Sequence, residues 1–262
     1  SPFPQVLSTE RPDQVAVGLS QGRVAIIIEG SPHALLIPGL FMDFLHSIED
    51  YYHRFIYSFS IRILRYIMYA IALLLPALYI AITTYHPEMI PTPLLITITS
   101  SRTGVPFPAL IEALLMEIVF EALREAGLRL PKSIGSAVTI VGALVIGEAA
   151  VTAGIVSQPM VIVVALTGIA SFTIPGYTAA ISVRLLRFVF MFAAATLGIF
   201  GILAALLVLL IHLASIESFG IPYLSPLAPL KGNQGSDLIT IPVPYQNARR
   251  KRYEPADSKE DS

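Results

Sequence analysis

The sequence contains no cysteine and no tryptophan, and it has few charged residues. The lack of cysteine excludes disulfide bonds, thiolate catalysis and zinc-finger sites. The lack of tryptophan means that any aromatic belt at a membrane interface must be built from tyrosine and phenylalanine. Charged residues make up only 13% of the 262 residues, about half the share usual in a soluble domain. The net charge of −1 gives no reason to expect a nucleic-acid partner.

Hydrophobic residues, in contrast, make up 55% of the chain, and the mean hydropathy is +0.72. This composition is typical of a membrane protein. A stretch of about 20 apolar residues crosses a hydrocarbon core of roughly 30 Å, and four runs are candidates for such spans, although the third is short. The predicted spans are Ile63–Thr83, Ser136–Val156, Met160–Ile174 and Phe188–Ala214.

Three residues in these runs predict where helices bend or pack closely. Pro76 has no amide hydrogen to donate to the carbonyl of Ala72, so a kink is expected there. Gly198 and Gly201 are small enough to let a neighbouring helix approach closely. We favour ordinary helix packing as the explanation for both glycines.

The chain before the first span predicts a small folded segment. Residues 1–57 are expected to be the C-terminal part of a cytoplasmic domain. Within them we predict a helix over Asp13–Gln21 and a hairpin made of the strands Arg23–Glu29 and His33–Ile37. A hairpin of this size is marginally stable alone, so it is expected to belong to a larger domain.

The remainder of the chain divides into a membrane domain and a tail. Residues 58–230 are the predicted membrane domain. Residues 231–262 are polar and are expected to be disordered. The basic cluster Arg249–Arg252 in this tail is either a solvated charge run or a contact for anionic lipid headgroups.

Glu148 lies in the middle of the second apolar run. A carboxylate at this depth is expensive in lipid, so it is expected to face a bundle interior or a water-filled path. One interpretation is a pore or relay residue. The other is a carboxylate buried between helices and hydrogen-bonded to a neighbour such as Thr152, one turn further on.

Three more carboxylates lie on a predicted amphipathic helix over Ala109–Ala126. Glu117 and Glu121 share its polar side, and Glu112 lies apart on the apolar side. Such a helix either lies in the membrane interface or lines water. The Glu-x-x-His elements of bundle metal sites do not accompany these residues, so no metal is predicted.

Two short segments of the sequence echo each other. Ile61–Tyr66 reads IRILRY and Val183–Phe188 reads VRLLRF. Each places two arginines three residues apart on one helix face, where we expect the side chains to extend to lipid headgroups. If both pairs mark the cytoplasmic side, the Glu-bearing helix must cross as a fifth span, and otherwise four spans suffice.

No enzyme signature was found in the sequence. It has no phosphate-binding glycine-rich loop, no His-Glu-x-x-His pair and no Gly-x-Ser-x-Gly elbow. We therefore predict a protein that is not an enzyme and that needs no cofactor.

Several motifs resemble the GerA family of spore germination proteins, and they extend from about Thr9 to Leu230. They are TERPD at 9–13, EDYY at 49–52, LLPALY at 74–79, HPEM at 86–89, PTPLL at 91–95, GVPFP at 104–108, EALLME at 112–117 and PYL at 222–224.

This resemblance implies an A subunit of a nutrient germinant receptor, or the related stage V sporulation protein, in the spore inner membrane. It implies assembly with a transporter-like, nutrient-binding B subunit and with a lipoprotein C subunit. It also implies oligomerisation, as a pentamer, into a nutrient-gated cation channel. In the family the position of Glu148 is more often glutamine, which implies that a polar group, rather than a charge, is needed there.

Taken together, the sequence predicts an α-helical integral membrane protein. We expect four to five transmembrane helices, one amphipathic helix and a small α/β cytoplasmic segment at the N-terminus. The pore-lining or gating candidates are Glu148, Glu112, Glu117 and Glu121. An ion-coupled transporter and a non-conducting scaffold subunit stay open as alternatives to the channel.

Overall fold

The computed structural model describes residues 2–52, 54–129, 142, 145–225 and 227–228, and these residues are mainly helical. In chain order the described helices are α1 (Pro12–Ser20), α2 (Phe55–Tyr85), α3 (Thr92–Arg102), α4 (Ala109–Arg129), α5 (described over 145–152), α6 (Gln158–Phe172), α7 (Tyr177–Leu197) and α8 (Ile199–Ser215). The strands are β1 (Leu7–Thr9), β2 (Val24–Ile27), β3 (Ala34–Ile37), β4 (Glu217–Ser218) and β5 (Ile221–Pro222). Residues 136–141, 143 and 144 of the predicted span Ser136–Val156 and the whole predicted tail 231–262 lie outside the described residues.

The chain forms two compact units, each assembled from separate stretches of sequence. As far as their residues are described, the first unit comprises Ser1–Met68, Thr173–Ser182 and Leu207–Ser262. The second unit comprises Tyr69–Phe172 and Val183–Leu206.

The first unit contains a three-stranded antiparallel sheet in the order β1-β3-β2. The hairpin predicted from the sequence is confirmed, because β2 pairs with β3 with Val24 opposite Ile37 and Ile27 opposite Ala34. The predicted helix begins one residue early, at Pro12, which suits the first turn of a helix because its missing amide hydrogen would be unbonded there. Leu36 of the central strand is buried against Gly18 of α1.

Residues from both ends of the described chain build the core of this unit. The ring of Phe3 lies 6.1 Å from that of His212 and 6.2 Å from that of Tyr223, measured between centroids. The amide of Phe41 donates a hydrogen bond to the carbonyl of Tyr223 at 3.0 Å. The β4–β5 turn, which precedes Tyr223, is thereby tied to the segment that follows β3.

Two helices in the described part of the chain are long and apolar enough to cross a bilayer, judged by length and composition. They are Ile56–Tyr85, with 30 residues, and Tyr177–Leu197, with 21. The apolar helices α6 and α8 are shorter, with 15 and 17 residues. The helix predicted over Ala109–Ala126 is present as α4, which extends to Arg129.

The run predicted as a single fourth span, Phe188–Ala214, is divided in the structure. Gly198 separates α7 from α8 and has φ = +62°, a left-handed conformation that glycine adopts without steric cost. A Cβ placed on Gly201 would collide with the carbonyl oxygen of Ala193. In a straight helix these residues would be about 12 Å apart along the axis, so the chain bends sharply at Gly198.

Candidate functional site

The glutamates of α4 are joined to arginines and to a serine within the second unit, and this polar network is the candidate functional site. α4 is amphipathic, but its charged residues are not all on a water-exposed side. Glu112 and Glu117 are buried, whereas the side chain of Glu121 is 44% exposed. A buried charge needs a partner of opposite sign or several hydrogen-bond donors, and the structure supplies both.

Glu112 is bound at the beginning of α6. One carboxylate oxygen accepts hydrogen bonds from the amide of Ser157 at 3.0 Å and from its hydroxyl at 2.7 Å. The other oxygen accepts a hydrogen bond from Arg102 at 3.1 Å. A carboxylate at a helix N-terminus is stabilised by the helix dipole. Glu112 therefore connects the end of α3, the start of α4 and the start of α6.

Glu117 forms the most deeply buried ion pair of the second unit that the structure describes. Its carboxylate is 2.6 Å from Nη1 of Arg187 on α7, and the two side chains are only 4% and 2% exposed. The Nε of the same arginine donates to the carbonyl of Ala72 on α2 at 2.7 Å. Pro76, four residues after Ala72 in α2, has no amide hydrogen and therefore cannot donate a hydrogen bond to this carbonyl.

Glu121 lies one turn further along α4 and pairs with Arg184, one turn earlier on α7. Its other oxygen is 3.4 Å from Arg124. Because increasing numbers on α4 meet decreasing numbers on α7, the two helices run antiparallel. Tyr85 at the end of α2 donates to the carbonyl of Ala195 at 2.8 Å, whereas Ala72, earlier on α2, meets Arg187, earlier on α7. Because residue numbers increase together along the two helices, α2 and α7 run parallel.

Arg124 is held by aromatic rings as well as by hydrogen bonds. Its guanidinium carbon lies 5.0 Å from the ring centroid of Phe120 and 4.6 Å from that of Phe172, distances suited to cation–π attraction. Its Nη2 donates to the hydroxyl of Ser171 on α6. Phe120 also lies against Gly168 of α6, where a Cβ would collide with the ring.

The network is incompletely hydrogen-bonded. Among the described residues, Oε1 of Glu117, Nη2 of Arg187 and Nε of Arg124 are buried atoms without a hydrogen-bond partner. Buried unsatisfied polar atoms are uncommon in folded proteins, and each costs free energy. A network in this condition has spare donors and acceptors for a different arrangement or for water.

Glu148 is placed differently from the α4 glutamates. It lies on α5 and is exposed, as is Thr152 one turn further on. Val145, which precedes it by nearly one turn, is also exposed. The fold therefore brings Glu112, Glu117 and Glu121 into a bonded network, whereas Glu148 lies on an exposed face of a different helix.

A cavity of about 380 Å³ lies beside the Glu112 pair. It is lined by Thr83, Leu95, Ile98, Thr99, Arg102 and Thr103. The hydroxyls of Thr83 and Thr99 donate to backbone carbonyls one turn earlier, so their remaining lone pairs can accept hydrogen bonds. Among the described residues, no group of three His, Asp or Glu side chains is arranged to hold a metal ion.

The arginines of the two echoed segments were expected to reach lipid headgroups, but all four pair with carboxylates instead, and at most 11% of any of these side chains is exposed. Arg62 and Arg187 are buried and paired with carboxylates, at 1% and 2% side-chain exposure. The glutamates had been singled out from the sequence, but their partners had not. A signal was available, since charges of opposite sign in apolar helices are expected to pair.

Comparison with known proteins gives a consistent result. A sequence model described as Bacillus/Clostridium GerA spore germination protein matches residues 1–252. Spore germination protein KA of Bacillus subtilis (strain 168) is 55% identical over 259 residues, which cover 99% of this chain and 47% of that protein. Spore germination protein A1 of the same organism is 45% identical over 262 residues, or 100% and 54% of the two chains.

A third relative, the uncharacterized membrane protein YfkQ of Bacillus subtilis (strain 168), is 53% identical over 251 residues, or 96% of this chain and 49% of that protein. The chain spans about half the length of these curated relatives. No solved structure matches it. The family match covers nearly the whole chain, and the resemblance inferred from its motifs is thereby confirmed: the chain belongs to the GerA family of spore germination proteins.

Proposed function

We propose that this chain is the membrane part of an A-type subunit of a spore germinant receptor. The subunit oligomerises in the spore inner membrane and forms a nutrient-gated cation channel, together with a nutrient-binding B subunit and a lipoprotein C subunit. Family membership, the names of the relatives and the two long apolar helices support this proposal.

The observation that carries the channel is the contrast between Glu148 and the buried glutamates. Glu112 and Glu117 have their charges compensated inside the chain. Glu148 is exposed on a helix whose neighbouring side chain, Val145, is apolar. An ionised carboxylate facing lipid at this depth would be strongly unfavourable, so an exposed Glu148 fits a surface that faces water in an assembled oligomer.

A symmetric oligomer would repeat this carboxylate once per subunit. Closed rings of identical subunits place equivalent residues around one axis. Rings of Asp or Glu side chains in a pore attract cations and exclude anions. Thr152, one turn further along the same face of α5, would add a neutral oxygen to the path.

Current recording from the full-length receptor, reconstituted with its partner subunits, tests this role. We expect Glu148→Ala to reduce conductance or cation selectivity, and Glu148→Gln to retain most conductance because it stays polar. Glu125→Ala is the matched control, since Glu125 is also an exposed glutamate, at 56%, and its ion-pair partner among the described residues is the exposed Arg129. Unchanged currents in Glu148→Ala would reject the pore assignment.

The same recordings address the alternatives. A transporter would give saturable flux at carrier rates without single-channel steps, and a scaffold would give no current under any nutrient. The transporter reading predicts paired broken spans in two halves of the protein. The sharp bend at Gly198 ends α7 and begins α8, and it therefore does not supply a break within one spanning helix comparable to Pro76.

A further inference from the structure

We infer that Arg187 is a positioning residue that couples the proline break of α2 to α4 and thereby sets the balance between the closed and open states. The coupling within the second unit stands on the structure alone. Its effect on opening rests on the proposed channel function.

The first step concerns the backbone carbonyl of Ala72 in α2, which lacks the usual amide donor four residues later. α2 continues through Pro76, which cannot donate to the Ala72 carbonyl four residues earlier. Ala72 is fully buried, so water does not reach this oxygen from outside. An unpaired buried carbonyl is costly, and Nε of Arg187 removes that cost by donating at 2.7 Å.

The second step is that the same guanidinium holds α4. Nη1 of Arg187 lies 2.6 Å from Oε2 of Glu117. The planar guanidinium has donors fixed in different directions, so it can serve a backbone carbonyl and a carboxylate at the same time. A lysine ammonium is a compact charge that can follow the carboxylate, but it cannot hold both acceptors in this geometry as well as a guanidinium does.

The third step is that this arrangement has an evident competitor. Nη2 of Arg187 and Oε1 of Glu117 are both buried and have no partner among the described residues. Turning the guanidinium end-on to the carboxylate would pair these two atoms and form a bidentate bond. That bond would withdraw Nε from the Ala72 carbonyl and leave α2 free to bend further at Pro76. In one arrangement Arg187 bonds the Ala72 carbonyl but leaves two polar atoms unpaired, and in the other it pairs those atoms but releases the carbonyl. These two arrangements make a bistable element that a bound nutrient can bias.

The coupling predicts that the effects of substituting Pro76 and Arg187 on stability depend on each other, because both residues determine whether the Ala72 carbonyl has a hydrogen-bond donor. Pro76→Ala restores the amide that bonds the Ala72 carbonyl, so the contribution of Arg187 at that carbonyl is no longer required. In the full-length protein, Arg187→Lys is expected to lower the melting temperature by about 5 °C, since a buried carbonyl loses its donor. In the Pro76→Ala background the same change is expected to lower it by less than about 2 °C.

Arg184→Lys is the matched control. Arg184 is one turn away on α7 and pairs with Glu121. Its effect on the melting temperature is expected to be the same in the unmodified protein and in the Pro76→Ala background. Additive effects of Pro76→Ala and Arg187→Lys would overturn the coupling. Should Arg187→Lys fail to fold, the cycle is run between Pro76→Ala and Glu117→Gln, where additivity again contradicts it.

The role in opening is read from nutrient-evoked currents of the same variants with the partner subunits present. We expect Arg187→Lys to shift the half-maximal nutrient concentration about tenfold, and Pro76→Ala to restore at least half of this shift on a logarithmic scale. Coupled melting temperatures with unchanged nutrient dependence would overturn the role in opening. Absence of current from the unmodified receptor would instead count against the proposed function and leave the coupling standing.

Discussion

The two units use the same arginine pattern in different ways. Arg62 and Arg65 in the first unit have the same spacing as Arg184 and Arg187 in the second, within the similar segments IRILRY and VRLLRF. Residues three apart lie on one face of a helix, so each pair can present two guanidiniums together. The number of carboxylates that receive them differs between the units.

In the first unit both guanidiniums converge on Asp50. Arg65 binds it with two hydrogen bonds, at 2.7 and 3.1 Å, and Arg62 lies 3.4 Å from the same carboxylate. Burial alone would raise the pKa of Asp50, but the hydrogen bonds from Arg65 and the two positive charges hold the pKa below its ordinary value. One anion thus neutralises two cations that follow it closely in the sequence.

In the second unit the guanidiniums diverge onto two glutamates. Arg187 binds Glu117 and Arg184 binds Glu121, across 70 and 63 residues of sequence. These bonds join separate helices rather than a helix and its preceding turn. The difference shows that the spacing of two arginines fixes which face they share. The loss of stability on removing a carboxylate depends on how many carboxylates pair with the two arginines.

The largest effect is expected for Asp50→Asn, because it leaves two buried guanidiniums without their shared counter-ion. Removing one partner of a buried ion pair costs about 3–5 kcal/mol, and Asp50 serves two pairs. Unfolding of the full-length protein in detergent, followed by heat or denaturant, measures this loss. Glu49→Gln is the control, since this neighbouring carboxylate is 66% exposed and pairs with the exposed Arg11. Equal stabilities of the two variants would contradict the convergent cluster.

A smaller effect is expected in the second unit, where Arg187 and Arg184 each pair with a separate glutamate. Glu117→Gln leaves one buried guanidinium uncompensated and is expected to cost about 3 kcal/mol, at the lower end for buried pairs. Glu121→Gln, on a side chain that is 44% exposed, is expected to cost less than about 1 kcal/mol. The same unfolding measurement compares them. A larger loss for Glu121→Gln than for Glu117→Gln would show that exposure does not decide the difference.

The helices α4 and α6 of the second unit were predictable because each has a helical apolar pattern with a proline at or just before its first turn, whereas α7 begins at Tyr177, well before the predicted start at Phe188. The helix predicted over Met160–Ile174 lies within two residues of α6, and the helix predicted from Ala109 begins there. The bend at Gly198 was not predicted as an end of a span. The run around it stays apolar, and only the positive φ and the close approach of Gly201 to Ala193 reveal it.

The charge pairings were not predictable to the same degree. Helical spacing correctly grouped Glu117 and Glu121 and set Glu112 apart, because this depends on one helix only. Which arginine meets which glutamate depends on the order, direction and offset of helices that are far apart in sequence. The missing helical donor for the Ala72 carbonyl was predicted from Pro76, but the donor that replaces it, Arg187, lies 115 residues later in the sequence. The lining roles of the four glutamates stay predictions.

The next effect concerns backbone rather than charge, and it compares two glycines with positive φ. Gly198→Ala is expected to cost about 1–2 kcal/mol for the left-handed conformation, plus the displacement of His86 and Tyr85, whose atoms lie 3.0 Å from the new Cβ. Gly30→Ala in the first unit, at φ = +82° with open space around it, should cost the backbone term alone. Unfolding midpoints of the two variants measure the difference. A loss for Gly30→Ala that equals the loss for Gly198→Ala would mean that the neighbouring side chains yield freely.

The smallest effect concerns protonation beside the convergent cluster of the first unit. His46 lies 2.9 Å from the hydroxyl of Tyr66, and burial together with the charge of Arg62 lowers the pKa of His46 to about 4. Between pH 6.5 and 4 the unfolded chain binds a proton at His46 that the folded chain does not bind, so stability falls as the pH decreases through this window.

Because His46 is partly exposed, we expect a loss of about 1 kcal/mol between about pH 7 and pH 5. Unfolding of the full-length protein at these two pH values measures it. His46→Gln removes the titrating group and should reduce the pH dependence by that amount, whereas His33→Gln, at an exposed position, should leave the contribution of His46 in place. If His46→Gln and the unmodified protein lose the same stability over this pH range, burial and the charge of Arg62 do not hold His46 neutral in the folded protein.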